Sequence, residues 1–269
     1  MVRRPIVADK FYPGSKNLLE KQIRSFTKEN LQENALACIM PHAGYMCSGA
    51  VATQTASSVK IKKNIILLGP SHTGLGNRFS IMSKGKWQTP LGEIDINCSI
   101  AEIIKKEYPA VKEDETAHAY EHSLEVELPI LQMLSKADFS IVPLVLMPAE
   151  KSEYEKISQA IYNALSELKI KDETLIVASS DMTHYETQES AKKKDALAIE
   201  AILNLDEDLL MERVKKYDIS MCGYVPVVIT IMAAKKLGAK KAKLIKYQTS
   251  GDISGDYEAV VGYAGIIIS

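Results

Sequence analysis

The stretch Ala35-Leu-Ala-Cys-Ile-Met-Pro-His42-Ala-Gly-Tyr-Met-Cys-Ser-Gly49 decides how the chain is read. Six apolar residues run without a break into a proline, a histidine and a glycine-punctuated turn. A continuous apolar run of this kind predicts a strand buried on both faces. Pro41 ends it, because proline has no N–H to offer a sheet ladder. His42 therefore falls just past the carboxyl end of a central strand, the edge at which open parallel α/β sheets bind ligands.

The same grammar occurs twice more. Asn64-Ile-Ile-Leu-Leu-Gly-Pro-Ser-His72-Thr-Gly74 is a buried strand, a Gly-Pro stop and a histidine. Thr174-Leu-Ile-Val-Ala-Ser-Ser-Asp181-Met-Thr-His184-Tyr185 is a buried strand followed by Ser-Ser-Asp and a histidine. If the three strands lie parallel in one sheet, His42, His72 and His184 converge at one edge. The chain has 5 histidines in all. The remaining two, His118 and His122, share the segment Ala117-His-Ala-Tyr-Glu-His-Ser123.

Around these runs, the 269 residues fit one large α/β domain or two small ones, and 46% hydrophobic content supplies a sizeable core. Strands alternate with helical patterns, which predicts an α/β sandwich around a mixed sheet. Helices are expected from Ser15 to about Lys28, over Gly49–Val59, from Ser99 to Tyr108, through Leu124–Leu134 with Pro129 kinking it or marking its first turn, and over Ser152–Leu168. Further helices are expected over Glu186–Leu203, Asp206–Tyr217 and from Cys222 to Gly238. Phe79 to Cys98 alternates and carries Pro90 and Gly92, a hairpin excursion. Phe139–Met147, Lys243–Tyr247 and Glu258–Ile268 read as strands, and Gly251–Asp256 as a pair of turns. No internal repeat, low-complexity segment or linker divides the chain.

The net charge of −1 provides no general field for steering onto nucleic acid or an anionic membrane. No apolar stretch is long enough to span a bilayer, and the N-terminus lacks the apolar core of a signal peptide. The 4 cysteines have no framework spacing and no CxxC, so the reading is a reduced, cytoplasmic protein. Gly69–Gly74 lacks both the Gly-Lys-Ser/Thr ending and the GxGxxG spacing of nucleotide loops, so no nucleotide cofactor is expected.

Imidazole is the commonest metal ligand and the commonest general acid/base near neutral pH. His42 and His72 stand at the ends of two strands joined by one crossover and are suited to sharing one divalent ion. Among the cysteines, Cys222 is best placed as a third ligand. It lies just ahead of a helix N-terminus, whose dipole favours thiolate. The alternative reading of Cys222 is a small buried residue at a helix start. Cys38 belongs to a core strand, and Cys47 stands in the glycine turn. On a helix, His118 and His122 at i,i+4 would share a face, with Glu121, Glu125 and Glu127 available to orient an imidazole. His184 is a proton shuttle by position, with Asp181 or another carboxylate fixing its tautomer; the plainer reading of Asp181 is a turn residue.

Read together, Arg4-Pro-Ile-Val-Ala-Asp-Lys-Phe-Tyr-Pro, Pro-His42-Ala-Gly-Tyr, Gly-Pro-Ser-His72-Thr-Gly and Glu-His122-Ser-Leu-Glu-Val-Glu-Leu-Pro occur in order. Ser-Ser-Asp181-Met-Thr-His184-Tyr, Cys222-Gly, Thr-Ser-Gly-Asp252 and Val-Val-Gly-Tyr-Ala complete the series. This set resembles the Memo family from about residue 3 to residue 264. The resemblance implies a single α/β domain over residues 1–269, similar to the class III, LigB-type extradiol dioxygenases, which are non-haem iron enzymes. It implies that His42 and His72 match the two histidine ligands, with Cys222 where the dioxygenases carry glutamate. It implies acid/base roles for His184 and, more weakly matched, His122. The cysteine departs from the ring-cleaving pattern; a thiolate with two imidazoles suits iron or copper, with zinc a further option. The resemblance further implies AMMECR-type and radical-SAM proteins as partners. Two classes of function follow: a metal-dependent oxidoreductase on an unidentified small molecule or peptide, or a non-catalytic scaffold that binds a peptide or metal in the same crevice.

Overall fold

The structure, a computed structural model, describes residues 1–28 and 31–269. The chain opens with β1 (Val2–Arg3) and α1 (Lys16–Phe26), then β2 (Ala37–Met40), α2 (Tyr45–Ser57) and β3 (Asn64–Pro70). Next come β4 (Phe79–Ile81), β5 (Lys86–Thr89), β6 (Gly92–Ile96), α3 (Cys98–Glu107), β7 (Lys112–Glu113), α4 (Thr116–Ala119) and α5 (Glu127–Leu134). The second half contains β8 (Ser140–Leu146), α6 (Lys151–Glu167), β9 (Thr174–Ser179), β10 (His184–Glu186), α7 (Gln188–Leu203), α8 (Glu207–Lys216) and α9 (Tyr224–Lys236). The last elements are β11 (Ala242–Thr249), the one-turn α10 (Gly251–Ser254) and β12 (Val260–Ile268).

These strands form one mixed sheet in the order β1-β5-β6-β8-β3-β9-β2-β12-β10. In addition, β11 pairs with β12, and β4 pairs with β7 and β8. Its centre is parallel: β8, β3, β9 and β2 run the same way. The three histidine-ended runs are therefore parallel neighbours, but β9 lies between β2 and β3. The single crossover from β2 to β3 skips a place, which the equally apolar β9 run fills. The excursion is a hairpin only at β5–β6; β4 pairs antiparallel with β8 instead. In α5, Pro129 is the third residue, where its missing N–H would have no intrahelical partner.

Central strand residues alternate between the two faces of the sheet. Ala37, Ile39, Ile66, Leu68, Ile176 and Ala178 face one core, packed against α3, α6, α7, α8 and α9. Cys38, Met40, Ile65, Leu67, Leu175 and Val177 face the other, packed against α1, α2 and α5. Burial on both faces explains why these runs read as unbroken apolar stretches. Each fully buried Ile or Leu contributes roughly 1.5–3 kcal/mol of transfer free energy. The sandwich thus fixes the carboxyl ends of β2, β3 and β9 rigidly side by side. No helix among the described residues is long and apolar enough to cross a membrane.

Candidate metal centre

His42 leaves β2 beyond Pro41 and is 2% exposed. Its backbone N–H donates to Asp181 Oδ1 at 2.8 Å, tying the β2 exit to the β9 exit. Its Nδ1 lies 2.8 Å from Ser179 Oγ. The single Ser179 hydroxyl proton is directed at Ser123 O, 2.7 Å away, or Glu127 Oε1, 2.9 Å away. Nδ1 must then carry the proton of this pair, which leaves the Nε2 lone pair facing outward.

His72 is held by a carboxylate. Its backbone N–H donates to Glu121 Oε2 at 2.5 Å, and its Nδ1 lies 2.8 Å from Glu121 Oε1. Glu121 is wholly buried and also accepts from the backbone N–H groups of His122 (3.0 Å) and Ser123 (2.9 Å). Burial alone would raise the Glu121 pKa. The hydrogen bonds and charge of His72, with the backbone donors, outweigh it and hold the carboxyl at about 2. One ionised carboxylate thus sets the tautomer of His72 and the path of the chain into His122.

The ligand atoms of His42, His72 and His122 all lie within 4.8 Å of one another. The rings of His72 and His122 stack at 4.5 Å, and His42 meets both edge-on, at 5.0 and 5.6 Å. Phe11 packs edge-on against His122 at 4.9 Å. Burial, and then the neighbouring imidazoles, push the His42 pKa well down. Burial also lowers His122, against the pull of Glu121. Both rings are therefore neutral at physiological pH, with lone pairs available. Neutral, oriented imidazoles are the donor set that first-row divalent metals require, so these residues fit a metal.

Cys222 Sγ lies 3.3 Å from His42 Nε2 and accepts the Asp181 backbone N–H at 3.3 Å. It immediately precedes Gly223, the N-cap of α9. A Cβ on Gly223 would stand 2.3 Å from Ser179 O, so only glycine lets this helix start approach the end of β9. Burial, reinforced by Asp181, pushes the thiol pKa up despite the helix N-terminus. The expected dipole effect is outweighed by desolvation, and a bound cation would be needed to make the thiolate.

His184 stands on the wall of the same crevice. Its backbone N–H donates to Ser220 Oγ at 2.7 Å, and its Nδ1 lies 2.9 Å from Ser220 O. A backbone carbonyl, not Asp181, therefore fixes its tautomer. Asp181 receives the His42 N–H instead; burial lifts its pKa to about 6 against the charge of His184. The crevice has a volume of about 510 Å³, with Phe11, His72, His122, Tyr185 and Cys222 among its lining residues. A hollow of about 470 Å³ elsewhere, over Lys16, Arg24 and Asp138, contains neither histidine nor cysteine.

His118 is not part of this group. The helix α4 stops at Ala119, so the i,i+4 pair never shares a helical face. The His118 ring is buried against Trp87, with Nδ1 2.8 Å from Asp114 O and Nε2 3.2 Å from Pro143 O. Glu125 pairs with Arg3 and accepts from the N–H groups of Ile6 and Val7 and from Tyr12 OH. That clamp secures the opening segment from which Phe11 reaches the crevice. Glu127 lies beneath Ser179, and its burial holds the pKa well above the usual carboxyl range. All 4 cysteines are free; Cys38 is buried in a strand and Cys47 is half-buried. Ser179, Ser220 and Phe11 are site residues that the sequence reading did not single out. The Ser-Ser-Asp motif contained the first, but no signal marked which partner its hydroxyl would meet.

A family profile described as Memo-like protein matches residues 3–267. A MEMO1 family protein of Methanopyrus kandleri is 40% identical, covering 99% of this chain and 99% of its own length. One from Aquifex aeolicus is 42% identical, covering 99% and 98%. One from Methanocaldococcus jannaschii is 41% identical, covering 99% of both. Among solved structures, an uncharacterized protein from Escherichia coli K12 superposes with a TM-score of 0.54 at 14% identity, covering 84% of this chain and 98% of that one. That likeness speaks for the fold alone. Near-complete coverage at this identity, together with the family match from residue 3 to residue 267, shows that the chain belongs to the Memo family.

Proposed function

We propose that this protein is a redox metalloprotein that holds one iron or copper ion between His42 and His72, with Cys222 and His122 as the candidates for the third position. The observation that carries this reading is the convergence of three imidazoles within 4.8 Å, two of them turned by buried acceptors so that Nε2 faces the crevice. Such a metal, when bound, supplies one-electron chemistry and activation of oxygen or substrate. The chain's own residues do the rest. Glu121 and Ser179 hold the two imidazoles in register. Asp181 and His184 stand on the crevice wall, where the outward ring nitrogen of His184 can take or give a proton. Phe11 and Tyr185 present aromatic surface to whatever enters. The reading extends to a small molecule or a peptide side chain as the occupant.

The second reading, a non-catalytic scaffold, is favoured by the protonated Cys222 thiol, which in the absence of a cation is a neutral wall residue. Oxygen consumption by the iron- or copper-loaded protein separates the two. The redox reading expects turnover that falls at least tenfold in Cys222→Ser together with weaker metal retention. Equal, negligible turnover in both proteins favours the scaffold.

A further inference from the structure

The segment Asp181-Met-Thr-His184 carries two groups that line the crevice, Asp181 and His184, and it links the end of β9 to the first residue of β10. Its four consecutive backbone N–H groups are each held by a different partner. Asp181 N–H donates to Cys222 Sγ (3.3 Å), Met182 N–H to Gly262 O (2.8 Å), Thr183 N–H to Asp195 Oδ1 (2.9 Å), and His184 N–H to Ser220 Oγ (2.7 Å). The Thr183 partner is the unusual one. Asp195 lies in α7, outside the crevice, and is wholly buried. Its second oxygen accepts from Tyr247 OH at 2.7 Å, from β11 on the far side of β12.

The protein makes room for this carboxylate. A Cβ at Gly262 would stand 1.9 Å from Asp195 Oδ2, an impossible contact. Any other residue at position 262 would expel Asp195 or displace β12. Gly262 also brackets the same segment, with its N–H on Thr183 O at 2.9 Å. A buried carboxylate is a poor choice for mere packing, since an apolar residue would fill the space without desolvating a charge. Burial pushes the Asp195 pKa up, and the hydrogen bonds of Thr183 and Tyr247 pull it back; when ionised, a carboxylate aimed at one backbone N–H holds that peptide more strongly than a neutral acceptor would.

We infer that Asp195 is a positioning residue: through Thr183 N–H it fixes the backbone that delivers Asp181 and His184 to the crevice. The inference rests on the proposed role of that crevice, and its test keeps the two apart. Histidine ring resonances in selectively labelled protein report the placement of His184 directly, and exchange of the Thr183 amide reports its hydrogen bond. Asp195→Ala should shift the His184 ring signals and speed Thr183 exchange by about tenfold or more. Asp195→Asn, whose Oδ1 can still accept, should restore both. Tyr247→Phe, which leaves the Thr183 bond intact, should move neither. If Asp195→Ala does not fold, Asp195→Asn decides. A Thr183 amide that stays protected beside a His184 ring in its wild-type position supports the inference; loss of that protection with the His184 ring unmoved overturns it. Wild-type His184 signals in Asp195→Ala would also overturn it, as would a stably folded Asp195→Asn with displaced His184. Metal binding measured on the same wild-type sample judges the crevice reading separately, since His184 placement is read without it.

Discussion

At the residue scale the centre depends on which ring nitrogen each histidine turns outward, and buried partners set that. Glu121 binds His72 through both its ring and its backbone and shapes the turn into His122. Replacing it with glutamine keeps the volume but removes the charge that fixes the tautomer. Glu121→Gln should weaken metal affinity about 10–100-fold, the usual loss when an outer partner of a ligating histidine is removed; competition against a chelator of known affinity measures it. Glu127 works in the opposite electrostatic sense. Its folded pKa is raised by burial, so the native state holds a proton that the unfolded chain loses above about pH 4.5. Stability therefore falls as pH rises through that point. Glu127→Gln should be more stable than wild type at pH 7, by on the order of 1 kcal/mol, with the margin vanishing near pH 4. Urea denaturation at the two pH values checks the sign. These partners were the least legible part of the site. His42, His72 and Cys222 could be singled out because their residue types are rare and stand at strand or helix ends. Nothing in the order of residues says which of Glu121, Glu125 and Glu127 meets an imidazole and which is taken by Arg3.

At the element scale the site exists because three strands end together and one helix start is allowed to approach them. The approach depends on Gly223, where a methyl group would collide with Ser179 O. Gly223→Ala should cost about 1–3 kcal/mol, as overpacking does. It should also reduce metal affinity, because α9 must back away and take Cys222 with it. A stability loss without an affinity loss would show that Cys222 contributes nothing to binding. The strands themselves were readable, since burial on both faces writes itself as an apolar run. The order of the strands was not. The β2-to-β3 crossover predicts adjacency only as a tendency, and β9, arriving more than a hundred residues later, takes the place between them. Nor could the His118 and His122 spacing reveal that α4 stops between them. A single-turn helix leaves almost no periodicity to read.

At the scale of the whole molecule, the two cores and the sheet form a frame that exists before any ligand arrives. The imidazole nitrogens are already gathered, so binding a metal orders little new chain. Anything that binds the folded state and not the unfolded one raises the melting temperature with its concentration. Saturating iron or copper should therefore raise the melting temperature of the wild type and leave the His42→Ala/His72→Ala variant unmoved. The α/β class and the converging histidine edge could be foreseen from three apolar runs. The way the opening segment is clamped by Glu125 so that Phe11 reaches His122 could not, because it joins residues more than a hundred apart through a buried ion pair. The most direct test of the central claim is metal stoichiometry after anaerobic purification and reconstitution, compared between wild type and the His42→Ala/His72→Ala double variant. About one iron or copper ion per chain is expected in the wild type and none retained by a folded double variant. Undiminished binding in the double variant would contradict it.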